Sequence, residues 1–256
     1  MKKPIFGFAI LLIVSLLMNG LAFGLGSGEF ILDSLSLKKR TDDPATGTGE
    51  GKIYYKGAGA GGNDANTKLL LHMDGTGSTF TDDSDTPHTP TAQGGATQTS
   101  TPANTNLSDG VNVASFDGTD DYLSIPDSSD WDFGTGDFTI DFWVRLNTFT
   151  PVLQRLISQT DTCTSYSIVS FSNSNGATYQ AHNGTTTFEL NEGGVSGWSI
   201  NTWYHIAIVR NGDVFKLYKD GVEADSLTSS YTQNNMTSTL DIGRTNNCSS
   251  PFETDG

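Results

Sequence analysis

The chain has 256 residues, enough for one sizeable domain with segments to spare. Only 35% of it is hydrophobic and 17% charged, with the remainder rich in Gly, Ser, Thr and Asn, a mix that favours short strands joined by turns over long helices. The formal charge of −15 excludes nucleic acid as a partner, because a phosphate backbone would be repelled.

Lys2 and Lys3 precede an apolar run from Ile5 to Phe23, and Ala22-Phe23-Gly24 sets small residues at −3 and −1 of a cut after Gly24. Residues 1–24 therefore read as a secretory signal. The run is also nearly long enough to span a bilayer, so an uncleaved membrane anchor is the second reading. Under either one the rest of the chain leaves the cytoplasm and is secreted or held at the cell surface. The membrane enters only through this segment.

Residues 25–66 read as a flexible Gly/Thr-rich stalk. It carries two short apolar patches, Phe30-Ile31-Leu32 and Leu35-Ser36-Leu37, then Lys38-Lys39-Arg40 and a Thr/Asp/Gly/Pro stretch. Within it, Gly51-Lys52-Ile53-Tyr54-Tyr55 resembles a short pattern common in phage tail and virion-associated proteins.

From Thr67 the hydrophobic period becomes two. Leu69, Leu71 and Met73 alternate with Leu70 and His72, and Phe138, Ile140, Phe142, Val144 and Leu146 alternate with Thr139, Asp141, Trp143 and Arg145. Tyr166 to Phe171 is a further strand. Trp203 to Val209 is apolar on both faces, as a central strand should be. Asn211-Gly212 and Asp220-Gly221 mark hairpin turns on either side of Phe215 to Tyr218, and Thr239 to Ile242 is another strand. Strands recur without an intervening helix, the pattern of an all-β, antiparallel, two-sheet sandwich or jelly roll from 67 to 256.

The order of these segments carries a resemblance. Leu69-Leu70-Leu71-His72-Met73-Asp74-Gly75, Phe116-Asp117-Gly118-Thr119-Asp120-Asp121-Tyr122-Leu123 and Asp137-Phe138-Thr139-Ile140-Asp141-Phe142-Trp143-Val144 come first. Trp203-Tyr204-His205-Ile206-Ala207-Ile208-Val209-Arg210, Leu217-Tyr218-Lys219-Asp220-Gly221 and Leu240-Asp241-Ile242-Gly243 follow. Together they resemble the laminin-G-like members of the concanavalin A-like lectin/glucanase superfamily. The resemblance implies a two-sheet jelly roll that binds sugars, proteins or surfaces, often with calcium. It also implies a closing strand of the form Gly-x-Ile-Asp-Glu-x-Arg-Ile, which the sequence stops short of, so the domain reads as truncated before its last strand.

Most of the acid is Asp, which suits both turns and calcium loops. Asp74, Asp117, Asp120 and Asp121 lie beside strand ends and are candidate ligands of a structural calcium; turn-making alone is the plainer account of them. The Glu-x-Asp-x-x-Glu strand with which superfamily glucanases cleave glycosidic bonds is absent, and Glu189, Glu192, Glu223 and Glu253 are scattered. His72, His88, His182 and His205 look isolated, and no Gly-x-Ser-x-Gly elbow occurs. A non-catalytic module is therefore expected, with no catalytic residues.

Trp143, Tyr179, Trp198 and Tyr231 are candidate ligand contacts, since a sugar face stacks on aromatic rings; packing in the core is the competing account of each. Cys163 and Cys248, alone in an exported chain, are expected to form one disulfide. The expected partner is a carbohydrate or a cell-surface protein. Two other roles stand beside this one: a structural or receptor-binding component of a phage tail or virion, and an accessory domain of a larger extracellular hydrolase.

Overall fold

The structure, a computed structural model, describes residues 30–40, 65–73, 75–100, 112–150 and 153–245; for 30–40 and Ser100 it describes the backbone alone. The described residues form fifteen strands and one short 3-10 turn, Ser129–Trp131. Among the described residues the strands pair antiparallel, and they fall into two sheets.

The first sheet runs, edge to edge, through β14 (Val222–Thr228), β13 (Val214–Lys219), β12 (Trp203–Asn211), β7 (Asp137–Leu146), β1 (Phe30–Arg40), β5 (Asn112–Phe116) and β4 (Thr97–Ser100). An eighth strand, β2 (Thr67–Leu71), pairs with β1 as well. The second sheet runs through β11 (Thr187–Asn191), β10 (Gly176–Asn183), β9 (Ser165–Ser172), β8 (Leu153–Thr162), β15 (Leu240–Ile242), β6 (Tyr122–Ile125) and β3 (Thr91–Gln93).

Alternation decides which side chains fill the space between the sheets. On β7, Phe138, Ile140, Phe142 and Val144 are buried, while Thr139, Asp141 and Trp143 point the other way and are partly exposed. Leu69 and Leu71 of β2 and Ile206 and Ile208 of β12 complete the inner face, and Leu123, Val169, Tyr179 and Leu190 answer from the second sheet. Ring contacts bridge the two layers: Phe138 meets Tyr179 edge-on at 6.1 Å between centroids, and Phe188 meets Phe215 at 4.3 Å. Each large apolar side chain fully buried here contributes about 1.5–3 kcal/mol.

Both hairpin signals lead to turns. Between β13 and β14 the loop is Asp220-Gly221, with both residues at positive φ (50° and 78°), as a type I′ turn demands. Between β12 and β13 the register pairs Asn211 with Val214, so the loop residues are Gly212-Asp213, one step later than the Asn-Gly signal places them. Gly212 takes φ 58° at the first loop position, where a type II′ turn calls for glycine.

The stretch 25–66, expected as stalk, needs correction over residues 30–40. That segment is a strand in the first sheet, paired with β7 on one side and with β2 and β5 on the other. Its two apolar patches carry the alternation of a strand, with Leu35 and Leu37 between Ser34, Ser36 and Lys38. Apart from the turn residues Ala65 and Asn66, which lead into β2, the rest of the stalk and the segment 1–24 lie outside the described residues. Among those described, no helix is long and apolar enough to cross a membrane.

His88 is not isolated. Its Nδ1 lies 2.9 Å from Asp82 Oδ2 and its Nε2 3.4 Å from Asp130 Oδ2, with the ring 4.6 Å from Trp131. Asp82 is buried and gathers the backbone N–H groups of Leu70, Ser84 and His88 and the Ser84 hydroxyl besides. Removing that carboxylate strands several buried donors at once, each costing about 1–3 kcal/mol. Asp82→Ala should therefore lower unfolding free energy in a urea titration by about 3 kcal/mol or more. Asp85→Ala, at an exposed position three residues later in the same loop, should change it by less than about 0.5 kcal/mol. Equal effects would show that Asp82 is not the anchor of this loop.

Candidate metal and ligand site

β5 belongs to the first sheet and β6 to the second, so the turn between them crosses the rim of the sandwich. That turn is Asp117-Gly118-Thr119-Asp120-Asp121. Asp117 Oδ1 accepts the N–H of Thr119 at 2.8 Å, an Asx turn, and Asp121 Oδ2 accepts the N–H of Asp117 at 2.9 Å. Asp121 Oδ1 accepts the N–H of Gly95, in the neighbouring rim turn between β3 and β4. Asp121 is buried by these contacts, whereas Asp117 and Asp120 are exposed.

The outcome is a set of three carboxylates, each offering an oxygen within 4.8 Å of the others. Like charges so placed repel, and a hard cation with oxygen preference relieves that repulsion. Two glycines let neighbouring backbone close around the turn. Gly94 (φ 63°) would place a Cβ 2.4 Å from the carbonyl oxygen of Asp120, and Gly243 (φ 102°) would place one 2.8 Å from that of Asp121. Three of the four acids singled out as metal ligands thus come together. The fourth, Asp74, lies outside the described residues.

The aromatic candidates fare differently. Tyr179 is 1% exposed, on the inner face of β10. Its hydroxyl accepts from Ser167 Oγ at 3.2 Å, and burial pushes its pKa up to about 12 against the smaller opposing effects of that bond and of Arg210. Tyr231 is buried against Phe188, 5.7 Å between rings, and its pKa is raised chiefly by burial and then by the neighbouring Tyr179 and Tyr166. Trp198 is buried between Phe171 and Tyr204, with its Nε1 donating to Glu192 at 2.5 Å and the Lys219 ammonium over its face at 4.8 Å. These three are core residues rather than ligand contacts: alternation along β10 turns the Tyr179 ring inward, and packing against Phe171, Tyr204 and Phe188 covers the other two.

Trp143 alone of the four reaches the surface. It lies on the outer face of the first sheet, 5.3 Å from the His205 ring, and packs with Trp203 and Val113. Asp141, two residues before it, is registered opposite Ser36 and Ala207, so no carboxylate stands directly across from it. Cys163 sits in the turn between β8 and β9; Cys248, its expected partner, lies outside the described residues.

The laminin-G-type model described as the concanavalin A-like lectin/glucanases superfamily matches residues 117–255, more than half of the chain. The chain belongs to that superfamily. No curated protein matches it. Similar solved structures include the binding domain of botulinum neurotoxin DC in complex with SialylT, at 14% identity and TM-score 0.48, covering 64% of this chain. The match spans 40% of the neurotoxin chain. Domain 4 of AbnA, a GH43 extracellular arabinanase from Geobacillus stearothermophilus, in complex with arabinotriose, matches at 15% identity and TM-score 0.47, covering 66% of this chain and 79% of that one. Domains LG4-5 of the mouse laminin alpha1 chain match at 10% identity and TM-score 0.37, covering 91% and 83%.

His205, beneath Trp143, has its pKa lowered from 6.5 by burial. Its neutral form is thus favoured in the folded state, and the unfolded chain binds the proton more readily. Stability from this group is full above the unfolded value and is lost as pH falls from about 6.5 down through the folded-state value. His205→Gln should flatten the stability curve in that window when melting is followed between pH 5 and 7.5. An unchanged slope would show that His205 does not titrate as a half-buried base.

Proposed function

We propose that this chain is an exported, non-catalytic binding module of the superfamily, and that it recognises carbohydrate at a cell surface through a calcium ion held by Asp117, Asp120 and Asp121. The observation that carries this reading is the convergence of three carboxylate oxygens within 4.8 Å at the sandwich rim. Ca²⁺ takes six to eight oxygen ligands, more than this turn supplies, so positions are left for water, further protein oxygens or a ligand's hydroxyl groups. The buried Asp121 fixes the turn, and the exposed Asp117 and Asp120 face the medium from which ion and ligand arrive. Asp74, from the segment Leu69-Leu70-Leu71-His72-Met73-Asp74-Gly75, is the further carboxylate proposed for the ion. Trp143 offers a second, apolar contact on the outer face of the first sheet.

On β7 the acid four residues before Asp141 is Asp137, about 13 Å along the strand and so beyond the separation that glycoside hydrolysis uses, and the residues two away from Asp141 and those registered across from it are neutral. The non-catalytic part of the proposal rests on that arrangement and on the family's range, since a shared fold by itself fixes no activity.

Two measurements test the proposal. Calcium at about one hundred times its dissociation constant stabilises a protein by about 2.7 kcal/mol, which for a domain of this size raises the Tm by roughly 5–10 °C. The rise should vanish in a variant carrying both Asp117→Asn and Asp120→Asn, while Tm in chelator stays close to that of the unsubstituted chain. No shift at millimolar calcium rejects the ion. A glycan array with calcium and with chelator then tests the ligand: calcium-dependent binding supports carbohydrate, and a blank array alongside a positive melting shift leaves the metal and overturns the sugar.

A further inference from the structure

Strand β1 holds the first sheet together in an unusual way. Its register with β7 runs from Phe30 opposite Leu146 to Arg40 opposite Asp137. On its other side, Phe30–Leu32 pair with Phe116–Ala114 of β5, and Leu35–Lys38 pair with Leu71–Thr67 of β2. Among the described residues, β1 is therefore the strand through which β2, β5 and β4 are hydrogen-bonded to β7, β12, β13 and β14. Without it the described strands of this sheet fall into three pieces, β7 with β12, β13 and β14, β5 with β4, and β2 by itself, with unpaired backbone on β7 along one side of the gap and on β2 and β5 along the other.

The way β1 is tethered matters as much. Lys38 and Thr67 are antiparallel partners, and a two-residue turn is enough to join such neighbours. Here β1 ends at Arg40 and β2 begins at Thr67, with 26 residues between them. Fully extended, 26 residues reach about 90 Å, roughly twice the diameter of a domain of this size. The tether places no geometric demand that β1 enter the sheet of its own chain.

We propose that β1 is an exchangeable strand, and that the slot between β7 and β2/β5 accepts β1 of a second copy of this chain, giving a reciprocal strand-swapped dimer. A swapped pair makes the same backbone hydrogen bonds as two closed monomers, so the balance is set by concentration. A strand on a tether is presented at an effective concentration on the order of 1 mM. Monomer prevails well below that value, and swapped dimer becomes comparable to it near 1 mM or wherever copies are crowded together.

The test uses the full chain with one cysteine introduced per copy. Lys38 and Thr139 are directly opposed between β1 and β7. Opposed residues of antiparallel strands have Cα atoms about 4.5–5.5 Å apart, within disulfide range. A chain carrying both Lys38→Cys and Thr139→Cys should close this bond internally, located by peptide mass mapping. Copies carrying Lys38→Cys alone are then mixed with copies carrying Thr139→Cys alone, unfolded together and refolded at about 1 mM and at about 10 μM. Exchange predicts a covalent heterodimer joined through positions 38 and 139, with unchanged β-sheet circular dichroism and a yield falling on the order of tenfold or more at the lower concentration. Internal closure without any heterodimer overturns exchange. Failure of the double variant to close internally, while its melting curve is intact, overturns the placement of β1 on which the proposal stands.

Discussion

The structure depends on one packing constraint: two antiparallel sheets must bury one face of each strand against the other sheet, and a strand turns successive side chains to opposite faces. β7 shows the consequence most clearly. Phe142 and Val144 are wholly buried while Trp143 between them is not, so a single residue's parity decides whether an aromatic ring belongs to the core or to the surface. The rim turns inherit their positions from the same constraint. β5 and β6 lie in different sheets, and the acidic segment joining them has to cross the edge of the sandwich, where carboxylates meet water.

Parity also explains which parts were legible in the sequence. β7 and β12 alternate or run apolar over nine or ten residues, and the turns on either side of β13 carry glycine where positive φ is needed, so these strands and turns could be read directly. β8 could not. Its Ser158, Gln159 and Thr160 are polar yet buried, so its sequence shows no contrast between the two faces. β1 was hidden by its surroundings, a strand-like pattern set among Gly, Thr and Lys. Tyr179 was misjudged because Gly176, His182 and Asn183 give β10 the composition of a loop. Its neighbours Ala177 and Ala181 at even spacing were the signal that this face turns inward.

The contacts that escape sequence reasoning are those between distant positions. His88 meets Asp82 nearby and Asp130 far along the chain, and only the fold brings the second carboxylate to the ring. The local half of that arrangement was readable, since Asp82-x-Ser84 is an Asx turn in sequence as in structure, with the Ser84 N–H 3.0 Å from Asp82 Oδ1. The same division runs through the rim site. The Asx turn at Asp117 is local, and the reach of Asp121 to Gly95 is not.

Turn-making and the proposed metal binding are two accounts of Asp117, Asp120 and Asp121, and the geometry makes them compatible. Asp121 spends one oxygen on the Asp117 N–H and the other on the Gly95 N–H, which ties two rim turns together and holds the loop in one shape. Gly94 and Gly243 let two further backbone segments come within a distance that any side chain would forbid, which fixes the Asp120 and Asp121 carbonyls in turn. A carboxylate bonded to N–H groups keeps lone pairs free for a cation. The turn chemistry is thus what holds the exposed Asp117 and Asp120 close enough to act as a pair. A loop without those internal bonds would let the two like charges separate, and the cost of bringing them back would fall on the binding of any cation there.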